Sequence, residues 1–168
     1  RGARGAAGDR RVNTLLDILD ASAARFGRKR ALLIKPGFRT RVWTYRQLAD
    51  TVPRVARVLA DGGIRPGDRV VIWAVNRPEW GIAFLAAVHA GAILVPLDTR
   101  SLADFAAKVA QRTRATAVLA SKQTEAEARK LGLPVLLIED LPEQARSVAP
   151  LPRALVTADD LVEIVFTS

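Results

Sequence analysis

The sequence predicts an α/β fold, a mostly parallel sheet with helices on both faces, preceded by a small N-terminal β-hairpin. Three observations carry that expectation. Short apolar runs of strand length alternate with longer segments whose apolar residues recur at helical spacing. The run Arg69-Val70-Val71-Ile72-Trp73-Ala74-Val75 is almost continuously apolar, the mark of a strand covered on both faces. Turn residues such as Gly62-Gly63 and Pro66-Gly67-Asp68 punctuate the segments.

The elements follow in order. Leu15, Leu16, Ile18, Leu19, Ala23 and Phe26 recur at helical spacing over residues 12–26, and Gly27 ends the run. Ala31-Leu32-Leu33-Ile34 and Arg41-Val42-Trp43-Thr44 read as two strands of a hairpin around Lys35-Pro36-Gly37. Thr44-Tyr45-Arg46-Gln47 is a capping box, in which the Thr hydroxyl accepts from the third helical amide while Gln47 reaches back. The helix it opens carries Leu48, Val52, Val55 and Leu59 on one stripe, with Pro53 expected to kink its axis. After the strand at 69–75, Asn76 is expected to cap a helix with Pro78 in its first turn and Glu79 at its positive dipole end.

The same unit then repeats. Ala92-Ile93-Leu94-Val95-Pro96 is a strand, and Ser101 is expected to cap the helix bearing Leu102, Phe105, Ala106 and Val109. Thr116-Ala117-Val118-Leu119-Ala120 is a strand, and Thr124-Glu125-Ala126-Glu127 reads as a second capping box. Val135-Leu136-Leu137-Ile138 is a strand, residues 141–158 read as a surface crossing, and residues 162–166 read as a last strand. Residues 1–11 are Gly-, Ala- and Arg-rich and read as a disordered segment, leaving residues 12–168 as one α/β unit.

Composition narrows the classes. A chain of 168 residues is long enough to bury roughly 70% of the surface its unfolded form exposes. It holds no cysteine, which excludes disulfides, thiolate metal sites and a cysteine nucleophile, and is the habit of a cytoplasmic protein. No apolar run approaches the roughly 20 residues of a membrane-spanning helix. The net charge of +9 raises nucleic acid as a partner. The arginines are scattered, however, and cluster only at Arg1, Arg4, Arg10 and Arg11, so no nucleic-acid partner is expected.

Individual residues offer little catalytic chemistry. The lone His89 has no partner nucleophile or ligand in the sequence and reads as structural. Asp98 reads as a turn residue, Asp159-Asp160 as the turn before the last strand, and Trp43, Trp73 and Trp80 as core. Gly62-Gly63 and Gly67 are turn glycines, with no Gly-x-Gly-x-x-Gly after a strand. No catalytic residue and no metal-ligand set is assigned. The chain ends where an apolar strand meets Thr167-Ser168, the way many phosphate-binding loops begin. The glycines and lysine expected next are not in the sequence. The chain therefore reads as the front part of a larger nucleotide-using enzyme.

Several phrases support that reading together. Trp43-Thr44-Tyr45-Arg46-Gln47-Leu48 is followed by Gly63-Ile64-Arg65-Pro66-Gly67-Asp68-Arg69-Val70. Next come Asn76-Arg77-Pro78-Glu79-Trp80 and Ala90-Gly91-Ala92-Ile93-Leu94-Val95-Pro96-Leu97-Asp98, and the chain closes on Asp159-Asp160-Leu161 and Phe166-Thr167-Ser168. Over residues 12–168 the sequence resembles the N-terminal region of the adenylate-forming acyl-CoA synthetases, a family that includes fatty-acyl-CoA ligases, luciferases and peptide-synthetase adenylation domains. The resemblance implies a parent enzyme that uses ATP with Mg2+ to convert a carboxylic acid to an acyl-adenylate, then transfers the acyl group to coenzyme A. It implies that Thr167 and Ser168 are the first two residues of the loop that holds the ATP phosphates, and that the chain is truncated at that loop. An isolated chain is then expected to be inactive. Asp98-Thr99-Arg100-Ser101, Phe105 and Arg112-Thr113-Arg114 look more like the fatty-acyl branch than the peptide-synthetase branch.

The partners implied are small molecules, and an unpaired last strand leaves room for a homodimer. A self-standing, flavodoxin-like α/β binding module is the alternative. It expects a ligand at its own topological switch point.

Overall fold

The computed structural model describes residues 13–35, 37–38 and 40–166. The chain opens with helix α1 (Leu15–Phe26), whose capping box pairs Thr14 with Asp17. Strands β1 (Arg30–Ile34) and β2 (Arg41–Thr44) pair antiparallel as the expected hairpin. Helix α2 (Tyr45–Asp61) starts on the expected Thr44–Gln47 capping box and buries Leu48, Val52, Val55, Ala56 and Leu59. Pro53 removes one amide from its ladder, yet the helix continues through it as one element.

Strand β3 (Arg69–Trp73), helix α3 (Pro78–His89) and strand β4 (Ile93–Pro96) form the first crossover unit. Helix α4 (Ala103–Thr113), strand β5 (Ala115–Ala120), helix α5 (Glu125–Arg129) and strand β6 (Val135–Leu137) continue the alternation. The sheet order is β4-β3-β5-β6, and every pair is parallel. Connections leave β3 toward β4 and β5 toward β6, so the strand order reverses between β3 and β5.

Side chains alternate across this sheet, which is why the strands read as continuous apolar runs. Val70, Ile72, Leu94, Ala117 and Leu119 join one core with Leu16 and Leu19 of α1, the stripe of α2, and Ile82, Ala83 and Ala86 of α3. Val71, Trp73, Val95, Val118 and Ala120 join the opposite core with Ala106, Val109 and Ala110 of α4 and Ala128 of α5. Helices thus cover both faces, as expected.

Several local expectations are corrected. Asn76 does not cap α3. Pro78 occupies the first turn and holds the residue before it extended, so Arg77 becomes the N-cap, without a side-chain cap bond. Ser101 does not cap α4, whose N-cap is Leu102. The Ser101 amide instead closes a turn on the Asp98 carbonyl at 2.9 Å.

Thr124 makes no capping bond to α5, because its buried hydroxyl is captured by the Trp73 carbonyl. Residues 141–158 are not merely a surface crossing. They hold helix α6 (Leu141–Gln144) and a 3-10 turn (Ala145–Ser147), with Leu141 and Ala145 in the core.

Among the described residues, 162–166 do not form a full strand. Glu163 makes an isolated parallel bridge to Leu94 on the outer edge of β4. The Leu94 amide donates to Val162 O at 2.9 Å and the Ile164 amide donates to Leu94 O at 2.8 Å. The pairing stops there, although Ile164 and Phe166 still pack on the core that holds Val95 and Leu97.

Candidate functional site

Ligands on parallel sheets bind beyond the carboxyl ends of the strands, first of all where strand order reverses. Here that crevice lies between the ends of β3 and β5, and the protein's own side chains occupy it. The Ser121 amide donates to Thr124 Oγ1 at 3.1 Å, and the Thr124 hydroxyl bonds the Trp73 carbonyl. The Val75 amide reaches Ser121 Oγ at 3.4 Å.

Beside this knot, the Arg77 guanidinium bridges two carboxylates. Its Nε donates to Glu79 Oε2 at 2.8 Å and its Nη1 to Glu139 Oε1 at 3.0 Å. The pair of acids holds the Arg77 side chain above its ordinary pKa, with the Glu79 hydrogen bond as the largest cause. Glu139 also accepts from the Lys122 amide at 3.2 Å. Arg77 and Glu79 leave β3, Lys122 leaves β5 and Glu139 leaves β6, so one charge cluster ties three strand ends together. Among the described residues, no buried side-chain polar atom lacks a partner.

The rest of the rim lies past β4. Asp98 holds Arg100 through the Arg100 amide at 2.8 Å and through the guanidinium at 2.7 Å. The Arg100 side-chain bond is the largest cause lowering the Asp98 carboxyl to about 2. The Asp98 carbonyl accepts from Trp73 Nε1 at 3.0 Å, which pins the turn to the sheet. Asp98 therefore stabilises a turn, as the sequence suggests.

The segment bridged to Leu94 approaches this same edge. Past the bridge, Phe166 packs on the core that includes Val95 and Leu97. Thr167 and Ser168, the expected phosphate-binding pair, lie outside the described residues, as does the expected disordered segment 1–11.

Other expectations fall away from the rim. Arg112-Thr113-Arg114 sits at the amino end of β5, where the carbonyls of Thr113 and Arg114 accept from the Arg69 guanidinium at 2.8 and 3.1 Å. Those residues do not line the rim. His89 is buried at the end of α3, and its Nε2 lies 2.9 Å from Leu151 O. Trp73 is buried in the core, while Trp80 is partly buried and stacks on Phe84. Asp160 forms the expected turn by accepting from the Thr157 amide at 2.6 Å.

Sequence reasoning missed the Arg77–Glu79–Glu139 cluster. Arg77 and Glu79 are neighbours in the chain, but nothing local signals Glu139, 62 residues from Arg77. No three or more His, Asp or Glu residues among those described are grouped to hold a metal ion.

An open groove of about 690 Å³ lies elsewhere. It opens at the amino edge of the sheet, between α1 and residues 154–162, and is lined mainly by apolar groups including Leu15, Ile18, Ile93, Leu155 and Leu161.

The four-stranded parallel sheet covered by helices on both faces, with a final segment bridged to β4, defines an α/β domain. Comparison with known proteins identifies which. The AMP-binding enzyme family matches residues 19–168, and the chain belongs to that family. A crotonobetaine/carnitine–CoA ligase from Salmonella heidelberg is 30% identical over 175 aligned positions, covering 92% of this chain and 34% of the ligase. A nonribosomal peptide synthetase from Neosartorya fischeri is 36% identical over 115 positions, covering 64% of this chain and 5% of the synthetase.

Among solved structures, an adenylation–PCP di-domain NRPS from Klebsiella oxytoca superposes with a TM-score of 0.83 at 26% identity, over 94% of this chain and 29% of that one. A fatty acyl CoA synthetase from Mycobacterium tuberculosis gives 0.79 at 25% identity, over 93% and 33%. The chain thus spans about a third or less of the length of each of these relatives.

Proposed function

We propose that this chain is the N-terminal α/β part of a longer ligase that activates a carboxylic acid with ATP. One observation supports the reading: residues 162–164 bridge Leu94 of β4 in parallel, and Ile164 and Phe166 beyond the bridge pack on the core that holds Val95 and Leu97. Thr167 and Ser168 follow directly, and on this reading they begin the loop that grips the ATP phosphates. Hydroxyls and loop amides donate to phosphate oxygens, and positioning with charge stabilisation dominates such chemistry.

In the reaction proposed, a carboxylate oxygen of the acid attacks the α-phosphorus of ATP. A new O–P bond forms as the bond to the bridging oxygen breaks, and pyrophosphate leaves. A thiol then attacks the acyl carbon and AMP departs. Mg2+ on this reading accompanies the ATP phosphates. Relatives divide between CoA ligases and peptide synthetases. We infer coenzyme A as the thiol and a fatty acid as the substrate, a choice resting on the sequence phrases at 98–105. The acid-binding groups of this reading belong to chain outside residues 13–166.

The test is acid-dependent exchange of labelled pyrophosphate into ATP. The reading frame past Ser168 should continue into a glycine-rich stretch with a lysine, and the longer protein should exchange with one class of acids. In it, Thr167→Ala together with Ser168→Ala should lower kcat by one to two orders of magnitude. The 168-residue chain alone should show no exchange. Turnover by that chain, or a stop codon directly after Ser168, would overturn the proposal.

A further inference from the structure

Residues 148–154 form a strap over the middle of α2, the carboxyl end of α3 and the amino end of α1. Arg54 of α2 donates from Nη1 to Val148 O at 2.5 Å, and the Leu151 amide donates to Pro53 O at 2.8 Å. The Ala154 amide donates to His89 O, at the end of α3, at 3.0 Å. Arg153 reaches α1, with Nη2 at 2.6 Å from Thr14 Oγ1 and 2.9 Å from Asp17 Oδ1, and Nη1 at 3.5 Å from Asp20.

His89 lies under the strap, 8% exposed, with Nε2 against Leu151 O. A carbonyl only accepts, so Nε2 carries the proton and the neutral ring satisfies the contact. Beyond the strap, residues 154–162 form one wall of the apolar groove at the amino edge of the sheet.

We propose that the strap is an acid-released latch over this groove, with His89 as its pin. Protonation would place a second positive charge under the strap, close to Arg153, in a site nearly closed to water. The charged groups facing the imidazole are Arg153 from the strap, which opposes the charge, and Asp20 from α1, which favours it. Asp17 is already engaged with Arg153, and Arg54 holds the far end of the strap. Burial is the largest influence on the ring and lowers its pKa, against a smaller opposing effect of the Leu151 carbonyl.

The sign follows. The ring in an opened strap takes up a proton near 6.5, while the latched ring resists until lower pH. Falling pH through that interval therefore favours opening. Lifting the strap hydrates the imidazolium, frees the Leu151 and Ala154 amides, and widens the groove. The latch rests on the fold alone and does not depend on the enzymatic reading.

Hydrogen exchange on the 168-residue chain tests it, with protection factors corrected for intrinsic rates. Between pH 7.5 and pH 5, Leu151 and Ala154 should lose protection several-fold, while Val71 and Leu119 in the sheet hold theirs. The loss should begin near pH 6.5 and level off at the lower His89 imidazole midpoint read by NMR. His89→Gln keeps a donor for Leu151 O without titrating, and should reduce the change to less than twofold. Unchanged strap protection, an equal loss at sheet amides, or a loss that lies outside the interval between pH 6.5 and the His89 midpoint would overturn the latch. The midpoint comparison uses the unaltered chain, so the outcome does not hinge on the variant folding.

Discussion

Thr124 shows how one hydroxyl can outweigh a helix signal. Its sequence context, Thr-Glu-Ala-Glu, matches a capping box, yet the side chain turns inward and bonds the Trp73 carbonyl across the sheet. Ser121 completes the knot through its amide and hydroxyl, both bonded to the same oxygen. A buried carbonyl at a strand end needs a donor more than an exposed helix end needs an acceptor, because water serves the second and not the first. Thr124→Val keeps the shape and removes the hydroxyl, leaving Trp73 O and the Ser121 amide without this partner. The expected cost is about 2 kcal/mol in urea unfolding, with Thr124→Ser retaining most of the stability. A Val variant within about 0.5 kcal/mol of the parent would show that the knot is energetically idle.

At the scale of elements, the strands and helices were legible because their signals are local and strong. The 3.6-residue stripe of α2, the capping box at Thr44 and Gln47, and the unbroken apolar run of β3 each decide their own segment. Caps failed wherever a neighbour imposed its own geometry, as Pro78 did on Arg77. What a one-dimensional reading cannot see is a side chain whose partner lies far along the chain. Arg77 is the clearest case, since Glu139 reaches it only after β6 is in place. The side chains of Glu79 and Glu139 are 8% and 10% exposed, and Arg77 is the cation between them. Breaking such a pair from one side leaves buried acids uncompensated, which costs far more than the intact pair contributes. Arg77→Ala is therefore expected to destabilise the chain by about 3 kcal/mol in chemical denaturation. Arg77→Ala combined with Glu79→Gln should recover part of that loss. Equal stabilities for the single and double variants would show that Glu79 is not the group left stranded.

For the whole molecule, the final segment joins the site question to the fold. Its parallel direction follows the expected sheet, but its place beside β4 and its failure to continue as a strand were not read from the sequence. Apolar residues alternate at 162, 164 and 166, yet Val162 packs on one core and Ile164 and Phe166 on the opposite one, because regular pairing ends at the bridge to Leu94. The phosphate-binding assignment of Thr167 and Ser168 rests on sequence, and the fold contributes the path that leads to them.

Farther back, the same connection crosses the opposite end of the molecule, where Arg153 locks it to α1. That lock supplies a second acid response, separate from His89. The Thr14 hydroxyl is the largest cause holding the Asp17 carboxyl down to about 2, followed by the Asn13 amide, with Arg153 contributing less. A carboxyl lowered from 3.8 to about 2 on folding stabilises the folded chain above pH 4, and that contribution fades as pH falls toward 2. Wild-type Tm should therefore drop between pH 4 and pH 2 more steeply than that of Asp17→Asn, which has no carboxyl to titrate there. At pH 7 the order of effect is set by the lost capping bonds and the lost Arg153 contact, so the variant should melt lower. The two Tm curves must converge as pH approaches 2, and curves that stay parallel would mean that Asp17 is not the group linking α1 to acid stability.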